Sequence, residues 1–244
     1  MQKKSNIGLI GLAVMGENLA LNMESRGWSV SVYNRVVAGR EVEVVERFMN
    51  GRGKGKNFQG YTDIAEFVAS LESRRKIMMM VRAGSPVDQV MEQLFPHLDA
   101  GDIIIDGGNS NYNDSLKNYH RLKDLSIDFL DVGTSGGISG ARNGANLMIG
   151  GDKNVFDKVE WIFEGVAQKD GYLYVGEAAS GHYLKMVHNG IEYGMMQAIG
   201  EGFDLLEHSP YEYDYEKVAN LWNNGSVIRS RLIELAAEAF AEDP

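Results

Sequence analysis

An apolar run that stops on a glycine and passes at once into a helical pattern leaves a chain few folds to choose from. Here Asn6-Ile7-Gly8-Leu9-Ile10 leads into Gly11-Leu12-Ala13-Val14-Met15-Gly16, after which Leu19, Ala20 and Met23 recur at helical spacing. This is the strand, turn and helix that a dinucleotide-binding unit requires. Gly11 permits the tight turn, Ala13 is small enough for close approach of a pyrophosphate, and Gly16 lets the helix pack on the strand. The helix N-terminus, opened by Leu12, Val14 and Met15, offers amide donors to phosphates. Such a turn also occurs as a plain connection, so the segments after it have to carry the rest of the argument.

Trp28 to Asn34 alternates like a second strand and ends about twenty residues after the fingerprint, where an adenosine ribose would sit. Instead of the acid that suits a free ribose, the chain places Asn34-Arg35 there. Asn34 does not repel a 2′-phosphate, and Arg35 can pair with one and stack on adenine, so NADP is expected ahead of NAD. Lys76 to Val81 reads as a buried parallel strand, followed by a helix that starts around Ser85-Pro86. Asp102 to Asp106 repeats the rhythm and closes on Gly107-Gly108-Asn109-Ser110, in which Asn109 is either a donor to a ligand or a turn residue.

A further strand, Asp128 to Val132, is expected to end in a loop, Gly133-Thr134-Ser135-Gly136-Gly137, whose amides can cradle an anion or simply turn the chain. Asn146 to Gly151 and Gly171 to Val175 read as closing strands around an amphipathic helix, Lys153 to Gly165. Gly51-Arg52-Gly53-Lys54-Gly55-Lys56 lacks the spacing and the Lys-Ser/Thr pair of a Walker loop and reads as a solvated loop. The alternation describes one doubly wound α/β domain over residues 1–177, and residues 178–244 read as helical only.

The first of those helices, Ser180 to about His208, holds the most concentrated chemistry. Lys185, His188, Asn189 and Glu192 fall at i, i+3, i+4 and i+7, a polar stripe of amine, imidazole, amide and carboxylate. Lys185 and Glu192 are two turns apart, roughly 10 Å, which suits opposite ends of a small substrate. Leu184, Met186, Val187, Ile191, Met195 and Met196 make the helix apolar nearly all round, so it is expected to be buried. Gly190, Gly194 and Ala198 form a flat strip suited to another helix. A lysine near the positive end of a buried helix is a candidate base. Helices at Tyr215 to Asn223 and Ser226 to Ala241 follow.

Composition narrows the partners. The net charge of -10 argues against nucleic acid, and the absence of cysteine excludes disulfides and thiolate metal sites. With no apolar segment at Met1-Gln2-Lys3-Lys4-Ser5 long enough for a signal or a span, a soluble, cytoplasmic protein without a membrane partner is expected.

Together these segments resemble 6-phosphogluconate dehydrogenases, the decarboxylating members of the β-hydroxyacid dehydrogenase family. The resemblance spans essentially the whole chain and is most specific at Gly11 to Gly16, Asp106 to Ser110, Ser135-Gly136-Gly137 and Lys185 to Tyr193. It implies a Rossmann-type domain and then an all-α domain, incomplete by the family's measure because the later arginines that hold the substrate phosphate have no counterpart. It also implies Lys185 as general base and Glu192 as general acid. Asn109, Ser135, Gly136, Gly137, His188, Asn189 and Tyr193 match substrate positions. Gly11 to Gly16, Asn34, Arg35, Val81 and Asn109 are carried over to the cofactor. The implied reaction converts 6-phosphogluconate and NADP to ribulose 5-phosphate and carbon dioxide, in the pentose phosphate pathway, by a homodimer and without a metal.

Two departures from the family pattern stand out. Val36 replaces the Thr of many NADP-using members, which removes one hydroxyl donor to the 2′-phosphate. Asp131-Val132-Gly133-Thr134 and Gly194-Met195-Met196-Gln197 look like the family's short-chain branch. The rival readings are a β-hydroxyacid dehydrogenase that does not decarboxylate, and a noncatalytic dinucleotide-binding sensor. The second would have no reason to hold both Lys185 and Glu192.

Overall fold

The computed structural model describes residues 3–37, 39 and 43–243. They fall into two compact units, Met1–Met186 and Val187–Pro244. The first unit runs β1 (Ile7–Ile10), α1 (Val14–Ser25), β2 (Val30–Tyr33), α2 (Val44–Asn50), β3 (Phe58–Tyr61), α3 (Ile64–Ala69), β4 (Lys76–Met79) and α4 (Ser85–Leu94). It continues with β5 (Ile103–Asp106), α5 (Tyr112–Asp124), β6 (Asp128–Ser135), α6 (Gly137–Asn143), β7 (Ala145–Gly151), α7 (Lys153–Val166), β8 (Ala167–Gly176) and the start of α8 (Ser180–Glu207).

The strands form one sheet in the order β3-β2-β1-β4-β5-β6-β7-β8. Neighbours pair in parallel except β6 with β7. Short continuous apolar strands result from burial on both faces. Met78, Ile103, Ile105, Leu130 and Val132 join one core with α1 and α7, while Ile77, Met79, Ile104 and Phe129 face a second core with α3 and α4. The chain leaves β1 toward β2 and β3 and then returns to β4 on the other side of β1. That reversal opens a crevice beyond the carboxyl ends of β1 and β4, where sheets of this kind bind ligands.

The doubly wound reading holds, with β3, α2, α3, α5 and α6 as elements that the apolar pattern left unmarked. One expectation needs correction: Gly133, Thr134 and Ser135 belong to β6, because β7 returns antiparallel beside them and pairs its Met148, Leu147 and Asn146 with them in that order. Only Gly136 turns, at φ 111°, and Gly137, also at positive φ (59°), opens α6.

In the second unit the rest of α8 accompanies α9 (Tyr215–Asn223) and α10 (Arg231–Glu242). Phe203, Ala219 and Ala237 are its buried centre, with the Phe203 ring 4.7 Å from Phe240 and 5.2 Å from Trp222. Here α10 starts later than Ser226 because Ser230 is extended and its hydroxyl accepts from the Ile233 N–H at 3.3 Å, a side-chain cap. The expected burial of α8 on every side is also corrected. Leu184, Met186 and Val187 are exposed, as are Ile191, Met195 and Met196. A Cβ built on Gly190 or Gly194 would meet nothing within 4 Å. A helix that is apolar all round needs neighbours all round, and the described residues do not supply them. No described helix is long and apolar enough to cross a membrane.

Candidate active site

The fingerprint turn is built by steric necessity. Gly11 sits at φ 100°, and a Cβ there would lie 2.5 Å from the Met80 carbonyl oxygen and 3.2 Å from Val81 Cγ1. A Cβ on Gly16 would lie 1.8 Å from the Gly11 carbonyl oxygen, so this glycine is what lets α1 approach β1. Ala13 is the N-cap of α1 and makes no side-chain cap. The first amides of α1 therefore have no side-chain acceptor from that position, and Ala13 and Val14 are exposed beside them, which suits a phosphate. Met15 is half-buried, whereas Leu12 turns into the core at 1% exposure.

The Leu12 N–H donates to Asn34 Oδ1 at 3.0 Å, and Asn34 Nδ2 donates to the Arg35 carbonyl at 2.9 Å. Asn34 is buried and so shapes the turn as well as flanking it. The Arg35 side chain is exposed and donates to Gln89 Oε1 at 3.2 Å.

Two more strand ends bring their loops to the same edge. After β5, the buried Asp106 accepts from the Gly108 N–H at 3.1 Å and from the Ser110 hydroxyl at 2.7 Å, which fixes the loop and leaves Asn109 at the surface. Thr134 of β6 donates to the Gly107 carbonyl at 3.2 Å, and Ser135 follows at the end of that strand. Gly136, at φ 111°, is the N-cap of α6. Asp106 and Thr134 were named within motifs but given no role of their own, although an acid closing an apolar strand just before two glycines was a usable signal.

The start of α8 is anchored on β6. Asp131, fully buried, accepts from the Ala179 N–H at 2.7 Å and the His182 N–H at 2.8 Å. Burial pushes its carboxyl above the ordinary value, against the opposing pull of His182 and of these N–H donors. The His182 ring is also buried, with Nδ1 2.6 Å from Ser115 Oγ and 4.0 Å from Asp131 Oδ2. Its Nε2 is buried without a hydrogen-bond partner among the described residues. Lys185, one turn further on, is 8% exposed. A Cβ on Gly133 would lie 2.5 Å from Lys185 Cβ. Asp131 and His182 were missed, and the only available signal was a carboxylate inside an apolar strand.

Within the second unit, His188 Nδ1 lies 3.6 Å from Glu192 Oε2 and 3.3 Å from Asn189 Oδ1. His188, Asn189 and Glu192 are half-exposed and Tyr193 is exposed. Among the described residues Asp204, Glu207 and His208 also come together at the surface, as exposed acidic groups often do without an ion.

With the geometry in hand, comparison with known proteins is decisive. Residues 6–176 match the model of the NAD binding domain of 6-phosphogluconate dehydrogenase, and residues 181–210 match that of its C-terminal domain. The chain belongs to the 6-phosphogluconate dehydrogenase family. It is 47% identical to YqeC of Bacillus subtilis, provisionally named as such a dehydrogenase, over 97% of this chain and 76% of the relative. It is 48% identical to the decarboxylating 6-phosphogluconate dehydrogenase of Synechococcus elongatus, over 96% of this chain and 50% of that enzyme. Among solved structures, the Plasmodium falciparum 6-phosphogluconate dehydrogenase superposes with a TM-score of 0.86 at 40% identity, covering 97% of this chain and 51% of that one. That enzyme is described in complex with its cofactor NADP+ and with its substrate 6-phosphogluconate. The chain thus spans about half the length of the decarboxylating relatives it matches.

Proposed function

We propose that the protein carrying this chain oxidises and decarboxylates 6-phosphogluconate to ribulose 5-phosphate with NADP. The observation that carries the reading is a buried lysine, Lys185, held against β6 two residues before Ser135 ends that strand at the sheet's ligand-binding edge. The family membership and the NADP and 6-phosphogluconate complexes of the Plasmodium enzyme support it.

NADP fits the residues present. Gly11 and Gly16 leave a cradle that a Cβ would fill, Ala13 leaves the α1 amides without a side-chain cap, and the exposed Arg35 after β2 would pair with a 2′-phosphate. Bound there, NADP supplies the hydride acceptor. Gly11, Ala13, Val14, Met15, Gly16, Asn34, Arg35, Val81 and Asn109 would hold or shape its site, and Leu12 would fix the turn from within. Asn109, Ser135, Gly136, Gly137, His188, Asn189 and Tyr193 would orient the sugar acid.

Neutral Lys185 takes the proton of the substrate's 3-hydroxyl as C3 is oxidised, and the resulting ammonium then polarises the new ketone. A carboxylate β to that ketone leaves as carbon dioxide, its electrons form an enediol whose new hydroxyl takes the proton of the Lys185 ammonium, and the amine takes that proton back as C1 is protonated. Glu192 delivers a proton to C1 and completes the ketopentose.

The test is product analysis on the purified protein with 6-phosphogluconate and NADP. Equal amounts of NADPH, carbon dioxide and ribulose 5-phosphate are expected. NADPH without carbon dioxide would assign a dehydrogenase that stops at the keto acid.

A further inference from the structure

We infer that Asp131 is the positioning residue for Lys185, acting through the first turns of α8 and in register with the missing side chain of Gly133. The significance for catalysis rests on the proposed role of Lys185, but the positioning itself is open to a separate test.

Asp131 and Gly133 are two apart on β6 and therefore face the same side of the sheet. On that side Asp131 takes up two of the N–H groups at the start of α8, at Ala179 and His182. Most helix caps are local, but this one comes from a strand about fifty residues earlier, so it ties the helix to the sheet rather than merely ending it. Its two acceptor oxygens meet the end of the helix where N–H groups lack partners within the helix.

The approach is close enough to fix depth. A Cβ on Gly181 would lie 2.4 Å from the Met148 carbonyl oxygen and 2.6 Å from that of Asp131. Gly150, opposite Asp131 in the ladder, leaves the room that Asp131 Oδ1 and the Gly181 nitrogen occupy; a Cβ there would meet them at 2.6 and 2.7 Å. Rotation is fixed from the other side, where the buried His182 ring meets Ser115 of α5. One step along the same face of β6, about 6.7 Å, leads to Gly133, against which the Lys185 Cβ and Cγ lie. The carboxylate at 131 holds the helix in place, and the bare backbone at 133 gives the lysine its position. Asp131 and Gly133 thus act on Lys185 from the sheet side, one through the backbone of α8 and the other beside its Cβ and Cγ.

The experiment follows the side chain of Lys185 by NMR in the 244-residue chain with 13C-labelled lysine, the signal being assigned by its loss in Lys185→Met. Asp131→Asn keeps the shape but offers one acceptor oxygen where two N–H groups point. It should displace the Lys185 signal and speed amide exchange at residues 180–186 at least about tenfold. Gly133→Ala should displace the same signal while leaving the Asp131 cap intact. Asp128→Asn, at the other end of β6, should leave Lys185 unmoved, and NADP affinity should stay within about threefold in Asp131→Asn and Asp128→Asn. An unmoved Lys185 signal in folded Asp131→Asn overturns the inference, even if the melting temperature falls, because that would leave Asp131 with a structural role only. If Asp131→Asn does not fold, an unmoved signal in Gly133→Ala overturns it equally. Turnover of Lys185→Met tests the base assignment independently, since these readouts need no turnover.

Discussion

Asn34 Oδ1 accepts the Leu12 N–H at 3.0 Å, which ties the residue after β2 to the turn after β1. Under the proposed NADP site, one carboxamide would support the glycine turn from below and border the ribose from the side. The two duties separate by substitution. Asn34→Asp keeps an acceptor for Leu12 but sets a charge against a 2′-phosphate, so it should lose NADP affinity at least about tenfold while NAD affinity holds or improves. Asn34→Ala removes the acceptor and should weaken both dinucleotides, with about 1–2 kcal/mol lost in stability. Calorimetric titration of NADP and NAD against both variants checks this, and parallel losses in Asn34→Asp would deny the ribose role.

Arg35 is exposed and reaches Gln89. Arg35→Ala should cost about 1.5–3 kcal/mol of NADP binding, the range for a hydrogen bond to a charged group, and far less for NAD. Equal losses for the two would mean that Arg35 serves the adenine face or the fold.

Gly16 offers the sharpest steric test. Its Cβ would have to sit 1.8 Å from the Gly11 carbonyl oxygen, a backbone atom that cannot swing aside. Gly16→Ala should therefore push α1 off β1, costing about 1–3 kcal/mol or more and most of the dinucleotide affinity. Ala13→Gly, at an exposed N-cap of the same turn where glycine is preferred to alanine, should leave stability unchanged or slightly raised. Denaturant midpoints of the two variants decide it.

The sheet was legible because β1, β4 and β5 are buried on both faces, and such strands must be continuous apolar runs. β3 was not: Phe58-Gln59-Gly60-Tyr61 lies at the sheet edge with only Phe58 buried, so no apolar run marks it. Gly133 to Ser135 read as a loop because glycine is a poor strand former, and their strand depends on partners at Leu147 and Met148 that local sequence does not announce. The candidate site divides the same way. Gly11, Gly16 and Lys185 carry their reasons in local pattern, whereas Asp131 gains its meaning from N–H groups on a helix far along the chain, and no spacing rule reaches that far.

Asp131 also sets a pH dependence. Burial holds its carboxyl above the ordinary value of 3.8. A carboxyl that binds its proton more tightly folded than unfolded adds stability at low pH, and that stability is lost as pH rises through the folded value. Wild type should therefore lose stability relative to Asp131→Asn as pH climbs from about 4. Paired thermal melts across that range check the slope. A difference that moves the other way would show that the N–H donors and His182 outweigh burial and keep the carboxylate charged.

The two ends of the polar stripe on α8 differ in their exposure to solvent. Lys185 is buried at 8% exposure beside Gly133, while Glu192 is half-exposed and 3.6 Å from the His188 ring. Burial favours the neutral amine that a lysine base requires, whereas a carboxyl that must take up a proton from solvent each turnover needs contact with water. Under the proposed chemistry Lys185→Met removes the base for the first step, so NADPH formation should fall by about a hundredfold or more even in a single turnover. Glu192→Gln leaves that step in place, and a first equivalent of NADPH should form at near the normal rate before steady turnover slows by a comparable factor. Stopped-flow measurement of NADPH absorbance on both variants distinguishes the steps. A Glu192→Gln protein lacking the first equivalent would move Glu192 into the oxidation, and one with normal steady turnover would leave the proton at C1 to water or to another residue.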